Sequence, residues 1–179
     1  MFEVFVLAIA LSMDALAVSI GVGIKERKSI KMVALKSALF FGFFQALMPL
    51  IGYFGSQSIQ EYISGYDKAI SFAFLLFIGV KMMYESYQDK IEYTIQRISN
   101  RVIFTLAMVT SIDAMVAGFT LHLFDLNPFI SIVIIGITTF VFSYLGVFVG
   151  KTAGSKYEKK AEFIGGVILI FIGLKILQD

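Results

Sequence analysis

The chain has 179 residues, 58% of them hydrophobic, and a mean hydropathy of +0.85. A chain this apolar is not an average soluble domain. It has no Cys and only one His, which excludes disulfides, thiolate metal sites and His-cluster metal sites. The formal net charge of +2 indicates little by itself, so the placement of the charges has to carry the information.

Six stretches are long and apolar enough to be membrane spans, which need about 20 residues to cross about 30 Å of hydrocarbon. The third and sixth are short, and we expect their terminal lysines, Lys81 and Lys175, to extend toward the membrane surface. We therefore predict an all-α membrane protein with one transmembrane domain over residues 1–179. The predicted spans are Val4–Ile24, Met32–Gly55, Ala69–Tyr84, Val102–His122, Pro128–Gly150 and Phe163–Leu177.

The first apolar stretch also resembles a signal peptide, because Ala15–Ala17 loosely matches a cleavage site. However, no Lys or Arg precedes it and Asp14 lies in its middle, which favours a transmembrane helix. The longest connection, Glu85–Arg101, has isoleucines at helical spacing among charged residues. It predicts either an amphipathic helix on the membrane surface or a solvated loop.

Lys and Arg residues are concentrated in alternate connections, and such residues favour the cytoplasmic side. The second connection has only Lys68 and the fourth has none. We therefore expect the odd-numbered connections to be cytoplasmic and both termini to lie outside. The odd-numbered connections carry Lys25, Arg27, Lys28, Lys31, Lys90, Arg97, Arg101, Lys151, Lys156, Lys159 and Lys160.

Two segments of the sequence recur. Phe77–Lys81 matches Phe171–Lys175 at an offset of 94 residues, and Ser12–Ala15 matches Ser111–Ala114 as Ser-x-Asp-Ala. The copies cover about residues 1–87 and 100–179. Because each copy has three spans, the second must enter the membrane from the opposite side. Inverted repeats of this kind are typical of transporters that bind their substrate at the membrane midplane, between the copies.

The repeated motif places Asp14 and Asp113 near the centre of their spans. An Asp at that depth costs about 2.5–3.5 kcal/mol on insertion scales. Residues that cost this much are expected to have a function, here the binding of a cation. The alternative is a protonated Asp that only donates a hydrogen bond between helices.

Helices two and five add uncharged oxygen atoms at the same depth. Pro49 has no amide hydrogen and so frees the carbonyl of Gln45, while Ser143 is expected to bond back to the carbonyl of Thr139. Oxygen ligands suit Mg, Ca or Mn better than softer metals. His122 is expected at the membrane interface. The predicted metal ligands are Asp14, Asp113, Gln45 and Thr139, supported by Pro49, Ser12, Ser111 and Ser143.

At these residues the chain resembles the manganese efflux pump family (MntP), a group of LysE-like transporters. The matching motifs are the two Ser-x-Asp-Ala segments, Gly-x-x-Gln-x-x-x-Pro-x-x-Gly over Gly42–Gly52, and Lys160–Gly166. The resemblance extends over essentially the whole chain. It implies export of Mn²⁺ across the inner membrane, with Asp14 and Asp113 essential.

The sequence leaves other functions open. The acids would equally bind the ammonium of a basic amino acid, as in other LysE-like exporters. Two Asp residues that share a proton also occur in intramembrane hydrolases, but the Gly-x-Gly-Asp signature is absent. A purely structural membrane protein would leave the acids unexplained. We expect no enzymatic activity and no cofactor, but a secondary transporter that exchanges Mn²⁺ for protons, since the chain has no nucleotide-binding motif.

The topology is testable because the chain has no Cys of its own. Single cysteines at Ser58 and Lys156 should react with an impermeant thiol reagent from the outside and from the cytoplasm, respectively. Labelling would be measured in intact and opened cells. Labelling of the Lys156 position only from outside would reverse the orientation.

Overall fold

The computed structural model of the chain describes residues 2–26, 29–63, 65–87, 98–121, 127–153 and 156–178, which are almost entirely helical. Six segments are long and apolar enough to cross a membrane, and α4 and α5 together form the fourth. The prediction of an all-α protein with six spans is therefore confirmed. The helices are α1 (Phe2–Lys25), α2 (Ile30–Ile63), α3 (Asp67–Tyr87), α4 (Asn100–Thr110), α5 (Ile112–Gly118), α6 (Pro128–Ala153) and α7 (Lys156–Gln178).

Several helices run beyond the predicted apolar stretches. α2 continues past Gly55 to Ile63, and α3 ends at Tyr87 instead of Tyr84. Hydropathy marks the part of a helix that needs lipid, whereas backbone hydrogen bonding continues into the polar interface. The segment Glu85–Arg101, for which we expected either a surface helix or a solvated loop, begins inside α3 and ends inside α4. Its middle, residues 88–97, lies outside the described residues.

The fourth span is not the continuous helix Val102–His122 that we predicted. It is interrupted at Ser111 and its helix ends at Gly118, while residue 122 lies outside the described part of the chain. The hydroxyl of Thr110 donates to the carbonyl of Leu106 (3.0 Å) and that of Ser111 to the carbonyl of Ala107 (2.7 Å). Such back-bonding bends helices. The interruption puts Asp113 in the first turn of α5.

The core lies between the first three helices and the last four. α1 packs against α6 and α7, α2 against α5 and α6, and α3 against α7. Large apolar side chains such as Phe43, Phe77, Ile137 and Phe171 are exposed on the outside of this bundle, as expected for helices that contact lipid. The largest core cluster includes Leu7, Leu75, Ile78, Leu121, Ile135 and Leu169, which are all fully buried.

Glycines allow several helix pairs to approach backbone to backbone. A Cβ atom added to Gly42 would lie 3.0 Å from the carbonyl oxygen of Gly136, and one added to Gly136 would lie 3.2 Å from that of Gly42. These two glycines are themselves related by the 94-residue offset. Small residues at such crossings are typical of membrane helices, because close packing takes the place of the hydrophobic effect.

Other glycine contacts also recur at the repeat offset. A Cβ on Gly79 would lie 2.7 Å from the carbonyl oxygen of Gly166, and one on Gly173 would lie 3.6 Å from the carbonyl oxygen of Phe72. The offset of 94 residues relates Gly79 to Gly173 and Phe72 to Gly166. These two approaches of α3 and α7 are therefore related by the sequence offset.

Gly52 offers a test of this close packing. A Cβ there would lie 1.9 Å from the carbonyl oxygen of Met115, which the backbone of α5 cannot avoid without moving. We expect Gly52→Ala to destabilise the protein by at least about 1–3 kcal/mol, the usual cost of overpacking. Thermal unfolding in detergent would measure it.

Gly55→Ala is the matched control on the same helix. Its new methyl group would lie 3.3 Å from the end of the Phe119 ring, a side chain that can shift. Equal stability of the two variants would mean that the α2–α5 approach is looser than described.

Candidate metal centre

The two acids of the repeated motif are both buried between helices. Asp14 lies in the middle of α1 and Asp113 at the start of α5, with 8% and 7% of their surfaces exposed. The two carboxyl groups are close enough to interact electrostatically. The fold therefore brings together two acids that are far apart in the sequence.

Lys81 of α3 contacts this pair. Its ammonium donates to both carboxylate oxygens of Asp113, at 2.9 Å and 2.7 Å. The prediction that Lys81 extends to the membrane surface is therefore wrong. An ammonium is held more strongly by a carboxylate in a low-dielectric interior than by exposed groups, so the side chain points toward Asp113 instead. Lys175, its counterpart in the repeat, pairs with the exposed Glu3.

Glu162 is a third acid of this region, and we did not predict it as a site residue. It lies near the beginning of α7, is only 2% exposed, and is among the charged neighbours of Asp14. Its sequence signal was the motif Lys160–Gly166. We used that motif for the family resemblance and not for the site. At the 94-residue offset the counterpart of Glu162 is Lys68, so the repeat does not indicate a third acid.

Gln45 of α2 contacts α1 one helical turn before Asp14. Its side-chain amide donates to the carbonyl of Leu11 (2.8 Å), the residue one turn before Asp14 in α1. Its side-chain oxygen is buried and has no hydrogen-bond partner among the described residues. The predicted ligand atom is thus present, buried and available for another donor or a cation.

The hydroxyl groups of helix α6 differ from the prediction. Ser143 does not bond back to the carbonyl of Thr139. Both hydroxyl oxygens are fully buried, with no hydrogen-bond partner in the described part of the chain. A buried polar group without a partner costs about 1–3 kcal/mol, so these two hydroxyls are unusual in a packed helix.

The remaining supporting residues serve their own helices. The hydroxyl of Ser12 donates to the carbonyl of Ile9 (2.8 Å), just as Ser111 donates within α4. Pro49 lies inside α2 without ending it. Its carbonyl oxygen would lie 2.3 Å from a Cβ atom on Gly118, so this turn of α2 touches α5.

The acids alone do not make a complete metal site. Within the ranges that the structure describes, no three His, Cys, Asp or Glu side chains are grouped to hold a metal ion. A divalent cation bound here would have to combine the two Asp carboxylates with uncharged oxygens.

These features define a multi-pass membrane protein whose acids are buried between two groups of helices. A family described as "Putative manganese efflux pump" matches residues 28–177. The chain belongs to this manganese efflux pump family, as its motifs indicated.

Several relatives are similar in sequence to this chain over nearly its full length. Those from Aliarcobacter butzleri and Saccharophagus degradans are named "Putative manganese efflux pump MntP". The first is 57% identical over 99% of both chains, and the second is 47% identical over 99% of this chain and 98% of its own. A Wolinella succinogenes relative, "Putative manganese efflux pump MntP 1", is 47% identical over 100% of this chain and 98% of its own. No solved structure matches significantly.

Proposed function

We propose that this protein exports Mn²⁺ across the bacterial inner membrane and that Asp14 and Asp113 hold the ion during transport. The observation that carries the proposal is that two acids from equivalent motifs are both buried between helices and interact electrostatically. Gln45 and Thr139 supply the uncharged oxygens of the site. Membership of the manganese efflux pump family supports the choice of metal.

Proton exchange is the proposed source of energy. Moving a 2+ ion outward against 100 mV, negative inside, costs about 4.6 kcal/mol. Two carboxylates can hold either one Mn²⁺ or two protons. Exporting one ion while importing two protons moves no net charge across the membrane, so the potential no longer opposes the export.

The proposed motion is alternating access between two inverted three-helix copies. Matched glycine contacts support it: Gly42 meets its own counterpart Gly136, and the Gly79–Gly166 approach is matched by Gly173 and Phe72. In inverted-repeat transporters the two copies exchange conformations, so the site between them opens first to one side and then to the other. We also propose that both termini face outward.

Removing either charge should abolish export. Asp14→Asn and Asp113→Asn keep the side-chain shape but leave a divalent ion unbalanced. We expect each to raise intracellular manganese in an exporter-deficient strain to the level without the protein. The double variant should be no worse than either single one, because residues of one site act non-additively. Metal content would be measured by mass spectrometry, with protein abundance measured by blotting.

Ser12→Ala is the matched control beside Asp14, because its hydroxyl bonds within α1. It should lower manganese as the unaltered protein does. If abundant Asp14→Asn or Asp113→Asn protein still exported manganese normally, the acids would be packing residues and this mechanism would be wrong.

Selectivity should follow from the ligands. Carboxylate and other oxygen ligands suit Mn²⁺, and the proposed site has no Cys or His that would favour Zn²⁺ or Cu²⁺. Expression should therefore protect sensitive cells against manganese and not against zinc or copper, measured as growth at graded metal concentrations. Protection against zinc alone would refute the ligand assignment.

A further inference from the structure

Lys81 lies between two acids that differ in burial. Its ammonium contacts the buried Asp113 at 2.7 Å, while Glu85, one turn further along α3, lies 3.9 Å away. The Asp113 side chain is 10% exposed and the Glu85 side chain 41%. One flexible cation thus has a buried acceptor and a more exposed acceptor within reach at the same time.

The direction of the Lys81 side chain is unusual for a lysine in a membrane helix. Lys81 stands six residues before Tyr87, the last residue of α3, which is about 9 Å along the axis. Lysines near helix ends normally extend toward the nearer surface. Here the ammonium donates to both carboxylate oxygens of Asp113. It therefore occupies the two oxygens that a metal ion would need.

We propose that Lys81 is a tethered cation that competes with the transported metal for Asp113, and that Glu85 accepts its ammonium when the metal arrives. The inference rests on the proposed function, in which Asp113 binds Mn²⁺. Two cations cannot share both oxygens of one carboxylate without strong repulsion. Arrival of Mn²⁺ therefore drives Lys81 to Glu85, and return of Lys81 to Asp113 helps the metal to leave.

The repeat provides a natural comparison. Lys175 occupies the position of Lys81 in the second Phe-Ile-Gly-x-Lys segment, but it pairs with Glu3. The two lysines are therefore equivalent in sequence and different in partner. The ion pair of Lys175 with Glu3 therefore makes Lys175 a matched control for Lys81.

Equilibrium Mn²⁺ binding to the purified protein in lipid nanodiscs tests the proposal. The signal of free Mn²⁺ in electron paramagnetic resonance would be followed during titration. Lys81→Gln removes the competitor and should bind Mn²⁺ about tenfold more tightly, the lower end of the coupling between close charges. Lys81→Met, which keeps the length of the side chain, should behave in the same way, whereas Lys81→Arg should not bind more tightly. Lys175→Gln should change affinity by less than about twofold, as for other exposed pairs.

Substitution of Glu85 should change Mn²⁺ affinity in the opposite direction from substitution of Lys81. Glu85→Gln removes the acceptor for the displaced ammonium and should weaken Mn²⁺ binding about twofold, the scale of an exposed pair one helical turn apart. In the Lys81→Gln background the same change should have no effect, because there is no ammonium to receive. If Glu85→Gln weakens binding equally in both backgrounds, Glu85 attracts the metal directly and the proposal is overturned.

The outcomes separate this inference from the proposed function. If the unaltered protein binds no Mn²⁺, or Asp113→Asn binds it equally well, the proposed function fails. If Asp113→Asn abolishes binding but folded Lys81→Gln and Lys81→Met bind Mn²⁺ no more tightly than the unaltered protein, only the tethered cation is refuted. Export should slow in both Lys81 variants despite tighter binding, because the metal leaves an uncontested site more slowly. Unchanged or faster export would also overturn the proposal.

Discussion

A charged group in an apolar bundle must find an opposite charge nearby, and the contact between Lys81 and Asp113 is the central case in this protein. Lys81 is partly exposed, but removing it would leave the Asp113 carboxylate, whose side chain is 10% exposed, without this partner. The contact also joins α3 of the first group of helices to α5 of the second. The relative position of the two groups near the acids is thus tied to the charge state of the site, and not only to the shape of the packing surfaces.

The glycine crossings make this electrostatic arrangement geometrically possible. Where α2 meets α6, Gly42 and Gly136 bring the two backbones together three residues before Gln45 and Thr139. Bulkier residues there would separate the helices and move these polar side chains away from the acids. Close packing by small residues therefore determines how near the oxygens of α2 and α6 come to the carboxylates of α1 and α5.

The six spans and the two buried acids could be predicted from the sequence, because each depends on a short continuous segment of the chain. Apolar length predicted the six spans, and the two Ser-x-Asp-Ala segments predicted two acids that the structure places together. The errors concern relations between helices or polar details within them. The break at Ser111 depends on hydroxyls that compete for backbone carbonyls, and apolar length is blind to that competition. Whether Lys81 points outward or inward depends on a residue 32 positions away, which no local rule considers.

The polar residues of the predicted site differ in whether their side-chain oxygens have hydrogen-bond partners, and this difference bears on the function of the site. Ser12 and Ser111 are satisfied within their own helices, so they maintain the backbone beside each Asp. The side-chain oxygens of Gln45 and Thr139 are buried with no hydrogen-bond partner in the described ranges. Stability alone would favour pairing such atoms or replacing them with apolar groups. In the proposed site, these unsatisfied oxygens would be the uncharged ligands of a dehydrated cation that binds and then leaves. In the proposed cycle its ligands gain a partner only while the ion is present, and Lys81 pairs with Asp113 after the ion has left and before protons replace it.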